Sequence, residues 1–165
     1  MAVPQAPRTR VVETLDRQGI PYRLLPHGRE VFTVEEAAGQ RDVLMEEMVK
    51  SILLRDRRRR YVMACVRGDM RVDPKAVRAV LADGFGRLQF ASAAEIREIT
   101  GSVQGAVAPV GLPEEVPVVF DEVIARCERV NLSSGDPAMG LEMKGSDLLA
   151  VSRATIAAIA EPPEG

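Results

Sequence analysis

A chain of 165 residues, 46% apolar and 28% charged, is long enough to bury a core as one domain and has the composition of a folded soluble protein. Its formal charge of −2 excludes binding nucleic acid by bulk charge, so any nucleic-acid contact has to be local. Two cysteines and one histidine, without HxxxH or CxxC spacing, exclude a zinc site of the usual kind, and no apolar run reaches transmembrane length. No metal and no cofactor are expected. Met1-Ala-Val-Pro-Gln lacks the basic-then-apolar order of a signal peptide, so a cytoplasmic protein with reduced Cys65 and Cys127 is expected, with no membrane contact.

Residues 1–8 carry two prolines and no periodicity and read as a loose arm. Val11, Val12 and Leu15 have helical spacing between a Thr9 cap and a Gly19 stop, and Ile20 to Leu25 then reads as a strand ending at Pro26-His27-Gly28. Thr33-Val34-Glu35-Glu36 is a capping box that opens a short helix. A second short helix is expected after Asp42, with Leu44, Met45 and Met48 on its inner side.

Val49-Lys50-Ser51-Ile52-Leu53-Leu54 follows as a strand. Alternation puts Lys50 on the face of Ile52 and Leu54, an ammonium against an apolar wall. One reading is an edge lysine that keeps its charge in water, the other a cleft cation that meets a phosphate or a developing oxyanion. Arg55-Asp-Arg-Arg-Arg-Arg60 separates this strand from Tyr61–Arg67 and reads as a solvated hairpin tip, with a phosphate-binding rim as its alternative. Arg67-Gly68-Asp69 reads as a turn.

Asp73-Pro74 caps a helix through Ala76 to Leu81 that stops at Gly84, and Leu88 to Ala91 reads as a strand. Ser92-Ala-Ala-Glu95 is a second capping box, opening a helix that stops at Gly101. The uncharged stretch Gly101-Ser-Val-Gln-Gly105-Ala-Val-Ala-Pro109-Val-Gly111-Leu-Pro113 implies a shaped backbone, but fits neither the Walker nor the dinucleotide pattern. Val116–Phe120 and Arg129–Leu132 read as strands. Ser133-Ser134-Gly135-Asp136-Pro137 reads as a break, Gly140–Lys144 as a strand pairing back, Ser146 or Asp147 as a cap, and Ala154–Ala160 as a last helical turn. Short capped helices interleaved with hairpin-linked strands predict one α+β domain over residues 9–160, with a mixed, largely antiparallel sheet and a polar tail over 161–165.

The His-ending strand Leu25-Pro26-His27, the Val-Lys-Ser-Ile-Leu-Leu strand, the Gly-x-x-x-Gly-x-x-x-Pro-x-Gly loop and the Ser-Ser-Gly…Gly-Leu-Glu…Ser-Asp-Leu-Leu tail stand in an order that resembles the YbaK/prolyl-tRNA-synthetase-associated domain family, over residues 10 to 155. The resemblance implies a curled mixed sheet flanked by helices, and a trans-acting aminoacyl-tRNA deacylase whose partners are mischarged tRNA and an aminoacyl-tRNA synthetase. Lys50 falls on its functional lysine, Gly101, Gly105, Pro109 and Gly111 on its pocket loop, and Ser133, Ser134, Gly135 and Asp136 on the segment that closes the pocket. His27 reads first as a satisfied structural residue and otherwise as a substrate contact. Cys65, with no paired base, reads as a packed thiol. An aminoacyl ester is already activated, so a positioned water or ribose hydroxyl and donors for the oxyanion suffice, with loop glycine N–H groups as candidate donors. A non-catalytic module that binds tRNA or a synthetase, and a small-ligand-binding protein, are the alternative classes.

Overall fold

The structure, a computed structural model, describes residues 7–27, 30–41, 45–82 and 84–162. Most of the N-terminal arm, residues 163–165 of the tail, and Asp42 and Leu44 of the second short helix lie outside these residues. In chain order the elements are α1 (Arg10–Arg17), β1 (Arg23–Pro26), α2 (Val34–Arg41), a 3₁₀ turn (Met45–Glu47), β2 (Val49–Arg55), β3 (Tyr61–Arg67), β4 (Arg71–Val72), α3 (Pro74–Val80), β5 (Gln89–Phe90) and α4 (Ala93–Thr100). There follow β6 (Val118–Asp121), α5 (Glu122–Ala125), β7 (Arg129–Asp136), β8 (Met139–Lys144), α6 (Gly145–Ser152), β9 (Thr155–Ala157) and β10 (Ala160–Glu161).

Helix starts follow local chemistry. Thr9 Oγ1 accepts from Val12 N at 3.2 Å, Asp73 accepts from Lys75 N at 3.0 Å ahead of Pro74, and Ser92 and Glu95 close a reciprocal box at 3.2 and 3.0 Å. Each satisfies N–H groups that a first helical turn leaves without a partner.

The main sheet runs β5-β2-β3-β6-β9, antiparallel across β5, β2 and β3 and parallel across β3, β6 and β9. β2 and β3 pair over seven residues, from Val49↔Arg67 to Arg55↔Tyr61. Their side chains alternate between two cores: Val49, Leu53, Met63 and Cys65 enter one, and Leu54, Val62, Ala64 and Val66 the other. A smaller antiparallel sheet, β1-β8-β7, joins the first core through Val130, Leu132, Leu141 and Met143. The Met48↔Asn131 bridge links the two sheets just before β2. The mixed α+β architecture is the one the sequence predicts.

β4 and α5 form where no element is expected, and three of the expected elements take another extent or type. The first strand begins at Arg23 and not Ile20, because Ile20 N closes the end of α1 on Leu15 O and Pro21 has no N–H to give a ladder. The expected break over 133–137 contracts to Pro137-Ala138: β7 runs on through Ser133 to Asp136 with a bulge, and Ser134 Oγ donates to Met139 O at 2.6 Å across the hairpin. Ala154–Ala160 forms β9 and β10 in place of a helical turn. Arg153 ends α6 in the left-handed region, Thr155–Ala157 pairs with β6, and the buried Asp121 accepts from Ile159 N and Ala160 N at 2.9 and 3.0 Å.

The arginine run is the tip of the β2–β3 hairpin, built around Asp56, which is 1% exposed. One carboxylate oxygen accepts from Arg58 N and Arg60 N at 2.9 and 3.0 Å, the other from Gly86 N and Arg60 Nε at 3.1 Å each. Burial pushes this carboxyl up, but the N–H donors of Arg60 and Gly86 and the Arg60 charge outweigh it and hold the group below its ordinary range. Asp56→Asn leaves donors facing an amide, and is expected to lower stability by roughly 2–4 kcal/mol in urea unfolding at neutral pH.

Glu95 ties α4 to β2 and β3, accepting from Ser92 N, from Arg55 Nε at 2.9 Å and from Tyr61 OH at 2.8 Å. The Ser92 N–H, helped by Tyr61 and Arg55, lowers its carboxyl to about 2 despite burial. Its stabilisation is present above the unfolded value of about 4.3 and is lost as pH falls towards the folded one. The stability gap between wild type and Glu95→Gln should be full at pH 7 and shrink from about pH 4 downwards; a gap independent of pH would contradict the assignment.

Candidate functional site

The pairing of β2 is lopsided. β3 covers one edge along seven residues, whereas β5 covers the other only at Leu54 and Arg55. A cavity of about 390 Å³ opens along the uncovered edge. Val49 to Leu53 form one wall; Phe32, Thr33, Glu35 and Ala37 form the second; Phe90, Ala91 and Ile96 the third. Gln104, Gly105, Val107 and Ser133 close the remainder.

Hydrogen bonds on β2 reveal which backbone groups face this space. A residue's N–H and C=O point to the same edge of a strand, and successive residues alternate. Met48 O accepts from Gly68 N and Asp56 N donates to Arg60 O, so even-numbered residues point towards β3; Leu53 O accepts from Ala91 N, so odd-numbered residues point the other way. The N–H and C=O of Ser51 therefore face the uncovered edge. The Ser51 side chain lies over the first core, where Cys65 Sγ donates to its Oγ at 3.6 Å.

Lys50 lines the cavity at the start of the same strand, half-buried, and its Nζ donates to Met70 O at 3.3 Å. The cavity is thus walled by apolar side chains with one ammonium, Lys50, one carboxylate, Glu35, and, at Ser51, a strand edge that no strand pairs among the described residues. A wider groove of about 560 Å³ lies between α1 and residues 109–118, with Arg10, Arg17, Arg153, Glu13 and Glu114 in its lining.

Residues 28–151 match the family model described as the aminoacyl-tRNA editing domain. The chain belongs to that family. The editing domain is 36% identical over 95 residues to a proline–tRNA ligase of Bacillus licheniformis, a match covering 58% of this chain and 16% of the ligase. It is 28% identical over 116 residues to the uncharacterized protein YwhH of Bacillus subtilis, covering 70% of this chain and 72% of that protein. A crystal structure described as a candidate trans-editing enzyme for prolyl-tRNA synthetase superposes with a TM-score of 0.82 at 25% identity, over 97% of this chain and 99% of that one.

The candidate residues of the editing domain fall into three groups. Lys50, Gly105 and Ser133 share the cavity wall. Pro109 and Gly111 line the α1 groove. His27, Gly101, Ser134, Gly135 and Asp136 are on neither wall: His27 Nδ1 lies 2.9 Å from Pro137 O, and Ser134, Gly135 and Asp136 bond within the β7–β8 hairpin. Gly101 caps α4 at φ 76°, its N–H donating to Arg97 O at 2.9 Å, so that N–H is spent inside the helix end. Burial pushes the Cys65 thiol up to about 12, which leaves it uncharged at neutral pH. Sequence reasoning passed over Phe32 and Phe90, which are 49% and 63% exposed. An apolar ring left in solvent is the signal, and it is visible only once the fold is known.

Gly105 is the loop position with least room. At φ 88°, a Cβ there would sit 2.1 Å from Phe32 O, so the loop lies backbone to backbone against the opposite wall. At Gly101 a Cβ would meet the Arg10 guanidinium at 2.8 Å, the far end of a flexible side chain. Gly101→Ala is expected to cost on the order of 1 kcal/mol in stability and to keep activity per folded molecule. Gly105→Ala must spread the cavity walls and is expected to reduce activity at least tenfold; melting temperature and single-turnover rates on the same samples check both.

Proposed function

We propose that this editing domain is a trans-acting deacylase that hydrolyses the ester of mischarged tRNA. The cavity beside β2 carries the proposal: a largely apolar slot holding Lys50 and Glu35, with a strand edge unpaired among the described residues, in a chain of the editing-domain family. About 390 Å³ is at the small end of ligand pockets and suits an aminoacyl group with its ribose. Size then acts as a sieve, since a slot walled by Val49, Ala37, Ile96 and Val107 admits a small side chain and turns away a larger one.

Hydrolysis of the ester requires attack of a water on its carbonyl carbon, which the vicinal ribose hydroxyl can orient, departure of the esterified ribose oxygen with a proton, and stabilisation of the carbonyl oxygen as it gains charge. In this reading the Ser51 N–H on the open edge and the Gly105 backbone, both in the cavity lining, serve as donors to that oxygen. Lys50, a flexible cation, exchanges its hydrogen bond to Met70 O for the terminal phosphate or the ester oxygen. The amino-acid carboxylate and the free ribose hydroxyl are the products, and no metal takes part. The likeness to proline–tRNA ligases and to the candidate trans-editing enzyme makes mischarged proline tRNA the first substrate to test, with an aminoacyl-tRNA synthetase as partner.

The Lys50–Met70 bond favours one competing reading, in which the lysine only pins the turn after β3 and the domain binds tRNA without hydrolysing it. Single-turnover deacylation of a panel of mischarged tRNAs decides between them. Lys50→Ala is expected to fold and to lose at least tenfold in rate, about 1.4 kcal/mol, with wild-type rates unaffected by EDTA. A folded Lys50→Ala protein with wild-type rates removes the lysine from the chemistry.

A further inference from the structure

The cavity mouth continues into a basic edge of the domain. From Ile52 on the cavity wall, β2 runs five residues to Arg57 at the hairpin tip, roughly 16 Å at about 3.3 Å per residue. Arg57, Arg58 and Arg59 are exposed there, and so is Arg87, two residues before the Gln89-Phe90 strand that pairs with the end of β2. None of the ion pairs among the described residues involves these four arginines. Arg60 is different: its guanidinium pairs with Asp56 at 2.9 Å and lies 4.9 Å from the centre of the Phe85 ring. Through Arg58 N, Arg60 N and Gly86 N, Asp56 fastens the tip to the 84–87 segment, so the two arginine-bearing loops form one unit with a recess of about 390 Å³ between them. At the near end stand Phe90 and Phe32, two exposed rings on the cavity wall.

A stacking surface beside a slot for an acyl group, leading to unneutralised guanidinium groups on a chain of net charge −2, has the parts of a single-stranded RNA track. We infer that Phe90, with Phe32 in the lining of the same cavity, stacks the 3′-terminal adenine of the tRNA, and that Arg57, Arg58 and Arg87 contact the backbone phosphates that precede it. The inference rests on the cavity taking the aminoacyl ester, because that fixes which end of the RNA lies at Phe90. Phosphate contacts set register and carry no sequence information, so this edge positions the acceptor end without choosing among tRNAs. The α1 groove is the weaker rival: Glu13 and Glu114 share its walls, and Arg10 is bonded to Ile99 O at 3.2 Å.

The test uses an uncharged RNA hairpin with a single-stranded CCA end, labelled at its 5′ end and titrated by fluorescence anisotropy over a range of salt. Replacing Arg57, Arg58 and Arg87 with Ser is expected to weaken binding and to make the log–log salt slope shallower by roughly two. Replacing Arg17, Arg97 and Arg126, also exposed, removes the same charge and is expected to leave the slope nearly unchanged. Phe90→Ala and Phe90→Leu should each weaken binding about tenfold, with Phe90→Tyr restoring it. Wild-type affinity and slope in the hairpin variant, or an equal loss in the charge-matched control, would overturn the track, as would wild-type binding by Phe90→Leu for the stacking platform. Because the probe carries no ester, these outcomes are independent of deacylation. A wild-type protein that hydrolyses mischarged tRNA while the hairpin variant binds normally loses the track and keeps the deacylase; the converse pattern does the reverse.

Discussion

Everything at the cavity depends on the unequal pairing of β2. A strand buried on both faces and paired along both edges has no surface to offer a ligand. β2 is anchored on both faces by two cores and on one edge by seven pairs with β3, yet β5 meets its other edge at only two residues. An uncovered edge presents backbone donors and acceptors that elsewhere would invite another strand. Here Phe32, the start of α2 and the 104–107 segment close over it, so the edge is reachable by a small group and not by a chain. Rigidity from the paired side and access from the bare side make the Ser51 backbone a fixed feature of the cavity wall.

Electrostatics in this domain is organised by two carboxylates that satisfy backbone N–H groups as well as arginines. Asp56 holds two loops together from the inside, and Glu95 joins a helix end to two strands. The neighbouring arginines divide accordingly: Arg55 and Arg60 are held by Glu95 and Asp56, whereas Arg57, Arg58 and Arg59 extend into solvent. One short run of arginines around Asp56 thus contains both internal fastenings and free surface. Charges of the first kind contribute to the fold through desolvated, hydrogen-bonded geometry; those of the second act on partners at a range set by salt.

The two loop glycines show why residue type alone does not locate a site. Gly101 and Gly105 both have positive φ, but one ends a helix against a movable arginine and the other presses on the Phe32 backbone across the cavity. Only the second shapes the space a substrate would occupy.

Much of this architecture is written locally. Thr9, Asp73, Ser92 and Glu95 announce their helices because a cap and the N–H it satisfies lie within three residues of each other. The β2 and β3 strands are equally legible from apolar alternation, and the family is legible from the order of its motifs. The cavity is not, because its walls come from residues up to a hundred positions apart, as Phe32 and Ser133 are. Nor is the role of Asp56, whose partner Gly86 lies thirty residues on, or the strand pair at 155–161, which forms because β6 and Asp121 are there to receive it. Caps and periodicity are short-range and survive in the unfolded chain's grammar; an uncovered edge, a buried carboxylate and a backbone-to-backbone contact come into being only when distant segments compete for the same space.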